Sequence, residues 1–311
     1  TDAGARQTLL QKTSILTDTL HEADTRLAQV QTDVNSSIDA NVTDANNIIS
    51  TIADLNKQIA RFEVGNPGTA VDLRDQRQAK LEELSKIIPV NVTDLGDGQV
   101  KLAVKDAGNS DIVLLDGPNV QGTLAFNGTT VTGGATPTAI ALGSGSIYGG
   151  LAARDGAVQQ LRDNLDAFSK QLVTSVNGVY NPSATAGADF FDPAGTTAGT
   201  ITLQAGVTAA NLKTGTGTAG DNSIAVAIAN LANQNFSTAG SDFIDGTFDQ
   251  FYSQSVSNLG QALSTATARA SDQDKIQTLV QNQRDTVSGV SMDEEMADLV
   301  KFQRAFQASS R

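Results

Sequence analysis

The sequence predicts an α+β, multi-domain protein. It reads as an elongated bundle of long helices from both chain ends, with a small antiparallel β domain inserted between them. Three observations carry this prediction. Residues 20–62 hold apolar side chains at Leu20, Ala23, Leu27, Val30, Val34, Ile38, Val42, Ala45, Ile49, Ile52, Leu55, Ile59 and Phe62, and only a helical repeat returns steps of three and four to one face. Composition changes sharply after Pro89 to short β-like runs between Gly-rich turns. Helical periodicity then resumes at Leu151 and again dominates the last ninety residues. The expected divisions are 1–88 and 151–311 as the two halves of a helical rod and 89–150 as the β insertion.

The 20–62 run contains neither Pro nor Gly. At 1.5 Å per residue it spans roughly 65 Å, so it needs partners along its length. Its opposite face, with Asp33, Ser37, Asp44 and Lys57, is left for solvent or a neighbour. Leu9, Leu10, Thr13 and Leu16 feed into it, with a break expected near Asp18. Gly65, Pro67 and Gly68 stop it. Thr69-Ala70-Val71-Asp72 has capping-box spacing and opens a return helix over 69–88 that Pro89 closes.

Three strands are expected at 90–93, 99–104 and 112–115, separated by turn clusters around Gly96, Gly108 and Gly117. A long amphipathic helix follows from Leu151 to the Asn181-Pro182 stop. The Gly/Thr/Ala-rich excursion 181–221 carries one expected strand, Thr200-Ile201-Thr202-Leu203. Beyond it come a short helix around Ile224–Leu231, a second around Phe248–Leu263 and a third over 276–290. A final helix carries Met296, Leu299, Val300, Phe302 and Phe306 and is opened by a capping box at Ser291.

Composition excludes several function classes. The 311 residues are 39% hydrophobic but only 5% aromatic, without Trp, which suits slender helix packing. A net charge of −13 argues against nucleic acid, whose phosphates require Lys and Arg, and against an anionic membrane surface. No Cys is present, so disulfides and thiolate chemistry are excluded. No apolar run approaches the ~18 residues of a membrane span. The chain begins without Met and without a signal-peptide pattern, and is expected to be a fragment.

No catalytic constellation, metal site or cofactor site assembles. His21 is the only histidine and reads as a solvated helix residue. Residues 215–220 match G-x-G-x-x-G but lack the preceding buried strand that a dinucleotide site needs. Asp293-Glu294-Glu295 occupies a first helical turn, where carboxylates favour the helix dipole. Asp94, Asp97, Asp106, Asp111 and Asp116 lie mostly at turns; a secreted enzyme with a β catalytic domain would have to use them. A helical binding module resembling a chemoreceptor coiled coil is disfavoured by Pro89 and Pro182.

Two stretches carry a resemblance. Residues 284–311, with Arg284-Asp285, Val287-Ser288-Gly289-Val290, Asp293-Glu294-Glu295 and Phe302-Gln303-Arg304-Ala305-Phe306-Gln307-Ala308-Ser309, resemble the tail of the bacterial flagellar hook-associated protein 1 family. Ile52–Ile59 resembles that family's I-A-x-L-N-x-Q-I, and Asp72-Leu73-Arg74-Asp75-Gln76-Arg77 its D-L-x-D-Q-R helix. The Gln303–Ala308 part is shared more loosely with rod and hook proteins, which leaves another axial protein, the second junction protein or flagellin, as the alternative.

The resemblance implies a structural, non-enzymatic adaptor between hook and filament, lacking the family's terminal core helices. It implies location in the extracellular flagellum after type III export from the cytoplasm. Implied partners are the hook protein, the second hook–filament junction protein, further copies in a ring, and a cytosolic export chaperone. The candidate chaperone contacts are Met296, Leu299, Val300, Phe302 and Phe306; packing against the long helix is the competing role for that face.

Overall fold

A computed structural model describes residues 3–217, 220–288 and 292–309. The chain divides into two compact units, Thr1–Ser255 and Val256–Arg311. In the first, helix α1 runs unbroken over Ala3–Phe62, about 90 Å at the standard rise. The break expected near Asp18 is absent. Leu10, Thr13, Thr17 and Leu20 share one buried face, and the Thr17 and Thr19 hydroxyls donate back to the carbonyls of Ser14 and Ile15, which satisfies these β-branched residues inside the helix. The predicted apolar face is buried from Ile38 to Ile59. Val30 and Phe62 depart from it, at 42% and 64% exposed.

Helix α2 (Val71–Ile87) returns antiparallel, as the pairings of Arg74 with Glu63 and Arg77 with Asn56 require. Its start is not the capping box expected at Thr69. That hydroxyl donates to the Asn66 carbonyl at 2.8 Å, and Ala70, the residue at the cap, lends no side chain. The Glu63 carboxylate takes the Ala70 N–H instead, at 3.1 Å.

Strands β1 (Asn91–Asp94), β2 (Val100–Lys105), β3 (Asp111–Asp116) and β4 (Asn119–Val120) form an antiparallel sheet in that order. A register shift between Leu102 and Ala103 breaks the alternation, so that Leu102, Ala103 and Val104 are all buried. Strands β5 (Ala125–Phe126), β6 (Val131–Gly133) and β7 (Thr138–Ala139) form a second, three-stranded sheet. Ile38–Ala53 of α1, Leu84 and Ile88, the inner faces of β2 and β3, Val131 and Ile147 share one core.

Helix resumes at Gly145, earlier than the periodicity indicated, as α3 (Gly145–Ala152). Two glycines in the stretch assigned to the β insertion permit close packing. A Cβ at Gly145, where φ is +89°, would lie 2.3 Å from the Ile87 carbonyl oxygen, and one at Gly150 would crowd Ile38 at 3.0 Å. A π-helical turn, Ala153–Val158, leads into α4 (Gln159–Tyr180).

A second core gathers Leu10 and Leu20 of α1, Val173, Val176 and Tyr180 of α4, and Phe190, Phe191, Ile201, Leu212 and Leu231. The expected strand at 200–203 is reduced to a single bridge between Phe191 and Leu203. Edge-on contacts of Phe190 with Tyr180 and Phe191, at 5.4 and 4.9 Å between ring centroids, hold the excursion through aromatic packing. Helix α5 (Ser223–Asn230) follows. The two helices expected from 248 to 290 are one, α6 (Phe248–Ser288), whose first residue packs on Phe168 and Phe236. The remainder of α6 and α7 (Met292–Ser309) make up the second unit. The capping residue expected at Ser291 lies outside the described residues.

Candidate functional site

Two features stand out where the sequence singled out residues. The first is a polar clasp built from Asn56 on α1 and Arg74 and Arg77 on α2. Asn56 is fully buried, and a buried amide is costly unless each of its groups is bonded. Its Nδ2 donates to the Val100 and Gly117 carbonyls at 2.9 and 2.6 Å. Its Oδ1 accepts from Arg77 at 2.8 Å and from the Val100 N–H at 3.3 Å. Arg77 also donates to the Gly98 carbonyl at 2.6 Å. One α1 side chain thereby pins the β1–β2 and β3–β4 turns and the first turns of α2.

A turn of helix away, Arg74 grips Glu63 with two bonds, from Nε at 2.8 Å and from Nη2 at 2.7 Å, a fork geometry that a lysine cannot reproduce. That bond and the Gly68 and Ala70 backbone hold the Glu63 carboxyl down at about 2 against its ordinary 4.5. A depressed carboxylate contributes stability that is present above its unfolded pKa and lost as pH falls. The stability difference between the native chain and Glu63→Gln, measured by urea unfolding, is therefore expected to be constant above pH 5 and to shrink between pH 4.5 and 2. A difference that does not change over that window would contradict the pairing.

The second feature is the face of α7. Met296, Leu299, Val300, Phe302 and Phe306 are all exposed, and their spacing gathers them within an arc of about 160° of the helix.

The remaining candidates resolve into local structure. The His21 ring is not freely solvated: its Nε2 lies 2.8 Å from the Ile201 carbonyl and ties α1 to the excursion. Asp94, Asp97 and Asp106 bond backbone N–H groups of their own turns, those of Gly96, Gln99 and Ser110, and Asp111 pairs with Lys105 at 2.8 Å. Asp116 lines a shallow depression with Asp106 and Asp111. Near residues 215–220, Asp221 binds Thr216 and Ser223, and no strand precedes the glycines; residues 218 and 219 lie outside the described residues. Among the described residues no group of three His, Asp or Glu is placed to hold a metal, and no helix is long and apolar enough to cross a membrane. Sequence reasoning passed over Asn56 and Glu63 as functional positions; the signal for Asn56 was its place as the Asn of the Ile52–Ile59 stretch.

Residues 1–191 match the family described as the flagellar hook-associated protein FlgK helical domain. The chain belongs to the flagellar hook-associated protein FlgK family. Residues 281–311 also match the family described as the flagellar basal body rod FlgEFG protein C-terminal region. Flagellar hook-associated protein 1 of Bacillus subtilis is 26% identical over the whole of this chain and 69% of its own length. The Escherichia coli protein of the same name is 30% identical over 61% of this chain and 37% of its own length. The structure of the flagellar hook junction protein FlgK from Burkholderia pseudomallei shares the fold over 61% of this chain and 37% of its own, with a TM-score of 0.52 at 24% identity.

The FlgK-family match places the clasp physically. The motif residues Asn56, Arg74 and Arg77 lie inside the helical-domain match, and they are the polar groups that fasten the return helix and the sheet to α1. The α7 face lies inside the C-terminal match, which is shared with rod proteins. The protein is thus a structural component of the flagellum that associates with other axial proteins.

Proposed function

We propose that the chain acts at the junction between hook and filament as a non-enzymatic adaptor, reaching the cell exterior through the flagellar type III route. The observation that carries this reading is the family match over residues 1–191, supported by relatives named flagellar hook-associated protein 1. Its immediate neighbours are the hook protein, the second hook–filament junction protein and further copies of itself in a ring. The exposed α7 residues Met296, Leu299, Val300, Phe302 and Phe306 serve as partner contacts, first for an export chaperone in the cytoplasm. An apolar helical face of this kind suits a groove that reads anchors at three- and four-residue spacing. The exposed face of α1, with Asp33, Ser37, Asp44 and Lys57, fits a solvated or polar neighbour contact.

Deletion of the gene tests the reading. The expected result is loss of motility, with hooks completed and filament subunits shed into the medium. Full-length filaments on the deletion strain would refute it.

A further inference from the structure

We infer that the first unit bends at a two-helix neck whose compliant part is the π-helical turn Ala153–Val158. The unit has two separate cores, and α1 is the helix that runs through both. Between Leu20 and Ile38 no α1 residue is buried, a stretch of about 27 Å. The chain passes between the cores twice, once as α1 and once as the π turn leading into α4. Residues between Leu81 and Leu151 build on one core, and residues between Phe190 and Leu231 on the other.

Within the neck the two helices are joined by a ladder of polar bonds. Arg162 donates to Asp24 at 2.9 Å and to Gln31 at 2.8 Å, and Gln31 donates to Gln159 at 2.9 Å. Asp24 and Arg162 are both partly open to water, where such pairs are screened and weak. Apolar packing, which makes helix pairs stiff, is limited there to half-buried side chains such as Leu27, Val34, Val158 and Leu161. Arg154 is the exception and marks one end of the neck. It is buried and donates to Asn35 and to the Gly128 and Thr129 carbonyls at 2.8–2.9 Å, fixing the start of the π turn to the β-bearing core.

A π turn spaces its hydrogen bonds five residues apart and is a recognised cause of helix bending. This one begins at that anchor, runs toward the polar ladder and contains Gly156, beside which a side chain would meet nothing within 4 Å. One strand of the neck is therefore a continuous α-helix that flexes elastically, and the other is interrupted where bending concentrates. The use of this flexure at a junction rests on the function proposed above. The flexure itself is measured on the purified chain, so either can fail alone.

The chain has no Cys, so labels attach only where a cysteine is introduced. Spin labels at Asp75→Cys and Ala205→Cys report across the neck, and labels at Asp75→Cys and Asn119→Cys report within one core; all three positions are exposed. Pulsed electron spin resonance on the full chain is expected to give a distance distribution about twice as broad across the neck as within the core. Arg162→Ala broadens it further. Deleting Gly156 turns the π turn into regular α-helix, since such a turn carries one extra residue, and narrows it. Equal widths for the two label pairs, or no narrowing in a deletion variant of unchanged helical content, would overturn the proposal. If the deletion variant does not fold, hydrogen exchange on the unaltered chain decides. Amides at 153–158 are expected to exchange at least ~10-fold faster than those at 165–176, and equal protection overturns it.

Discussion

Asn56→Ala is expected to lower the stability of the first unit by about 3–5 kcal/mol, seen as a lower urea midpoint at an unchanged slope. The side chain is small and removing its volume alone costs little. The loss comes from what it leaves behind. The Val100 N–H and carbonyl, the Gly117 carbonyl and one Arg77 bond lose their partner together in a space closed to water, and each stranded buried group costs about 1–3 kcal/mol. Partial relaxation keeps the total below the simple sum. Because Arg77 spends one of its bonds on the same residue, Asn56→Ala and Arg77→Met together are expected to cost less than their separate effects added, by about 1–3 kcal/mol of coupling. Asn47→Ala, one α1 position on the exposed side, is the control and is expected to change stability by under ~0.5 kcal/mol. An Asn56→Ala chain as stable as the Asn47→Ala chain would remove the clasp from any role in the fold.

How far the fold could be read in the residues follows from which forces are periodic. Apolar burial repeats at a fixed spacing on most elements, so α1, α2, α4 and strands β2 and β3 were legible from Leu, Ile and Val, whereas β1, exposed throughout, was legible from its β-branched residues and flanking turn. Polar recognition has no period. The buried Asn56 looks from sequence like any interruption of a stripe, and its partners lie 21, 44 and 61 residues away. Glu63 replaces the cap expected from Thr69 for the same reason, since a carboxylate at the end of the preceding helix reaches the Ala70 N–H through the loop.

Glycine misled in the opposite direction. At Gly145 and Gly150 it lets α3 approach Ile87 of α2 and Ile38 of α1, whereas the sequence reading placed both residues in the β insertion. Thr200–Leu203 has the β-branched residues of a strand but only one bridge partner, and a strand needs a ladder to exist. The α7 face was legible as amphipathic, yet amphipathicity alone could not say whether it is covered; its exposure comes from the structure.

That exposure makes the α7 face separable from folding. Phe302→Asp combined with Phe306→Asp is expected to abolish motility while leaving the unfolding of the first unit unchanged. Phe302 and Phe306 are 73% and 75% exposed, so neither substitution opens a cavity or buries a charge, and exposed helical positions change stability by under ~0.5 kcal/mol. An aromatic anchor seated in a partner's pocket is worth about 2 kcal/mol or more. An aspartate in its place adds the cost of desolvating a charge. Two such changes lower the affinity for a partner that uses this face by roughly 10³-fold, which corresponds to about 4 kcal/mol. Two measurements then divide the consequences. Secretion of the variant into the medium reports the chaperone step, and filament length on exported protein reports the junction step. Loss of secretion places the contact in the cytoplasm, and normal secretion with shed filament subunits places it in the assembled flagellum. A motile double variant with normal filaments would show that the face is not a partner contact.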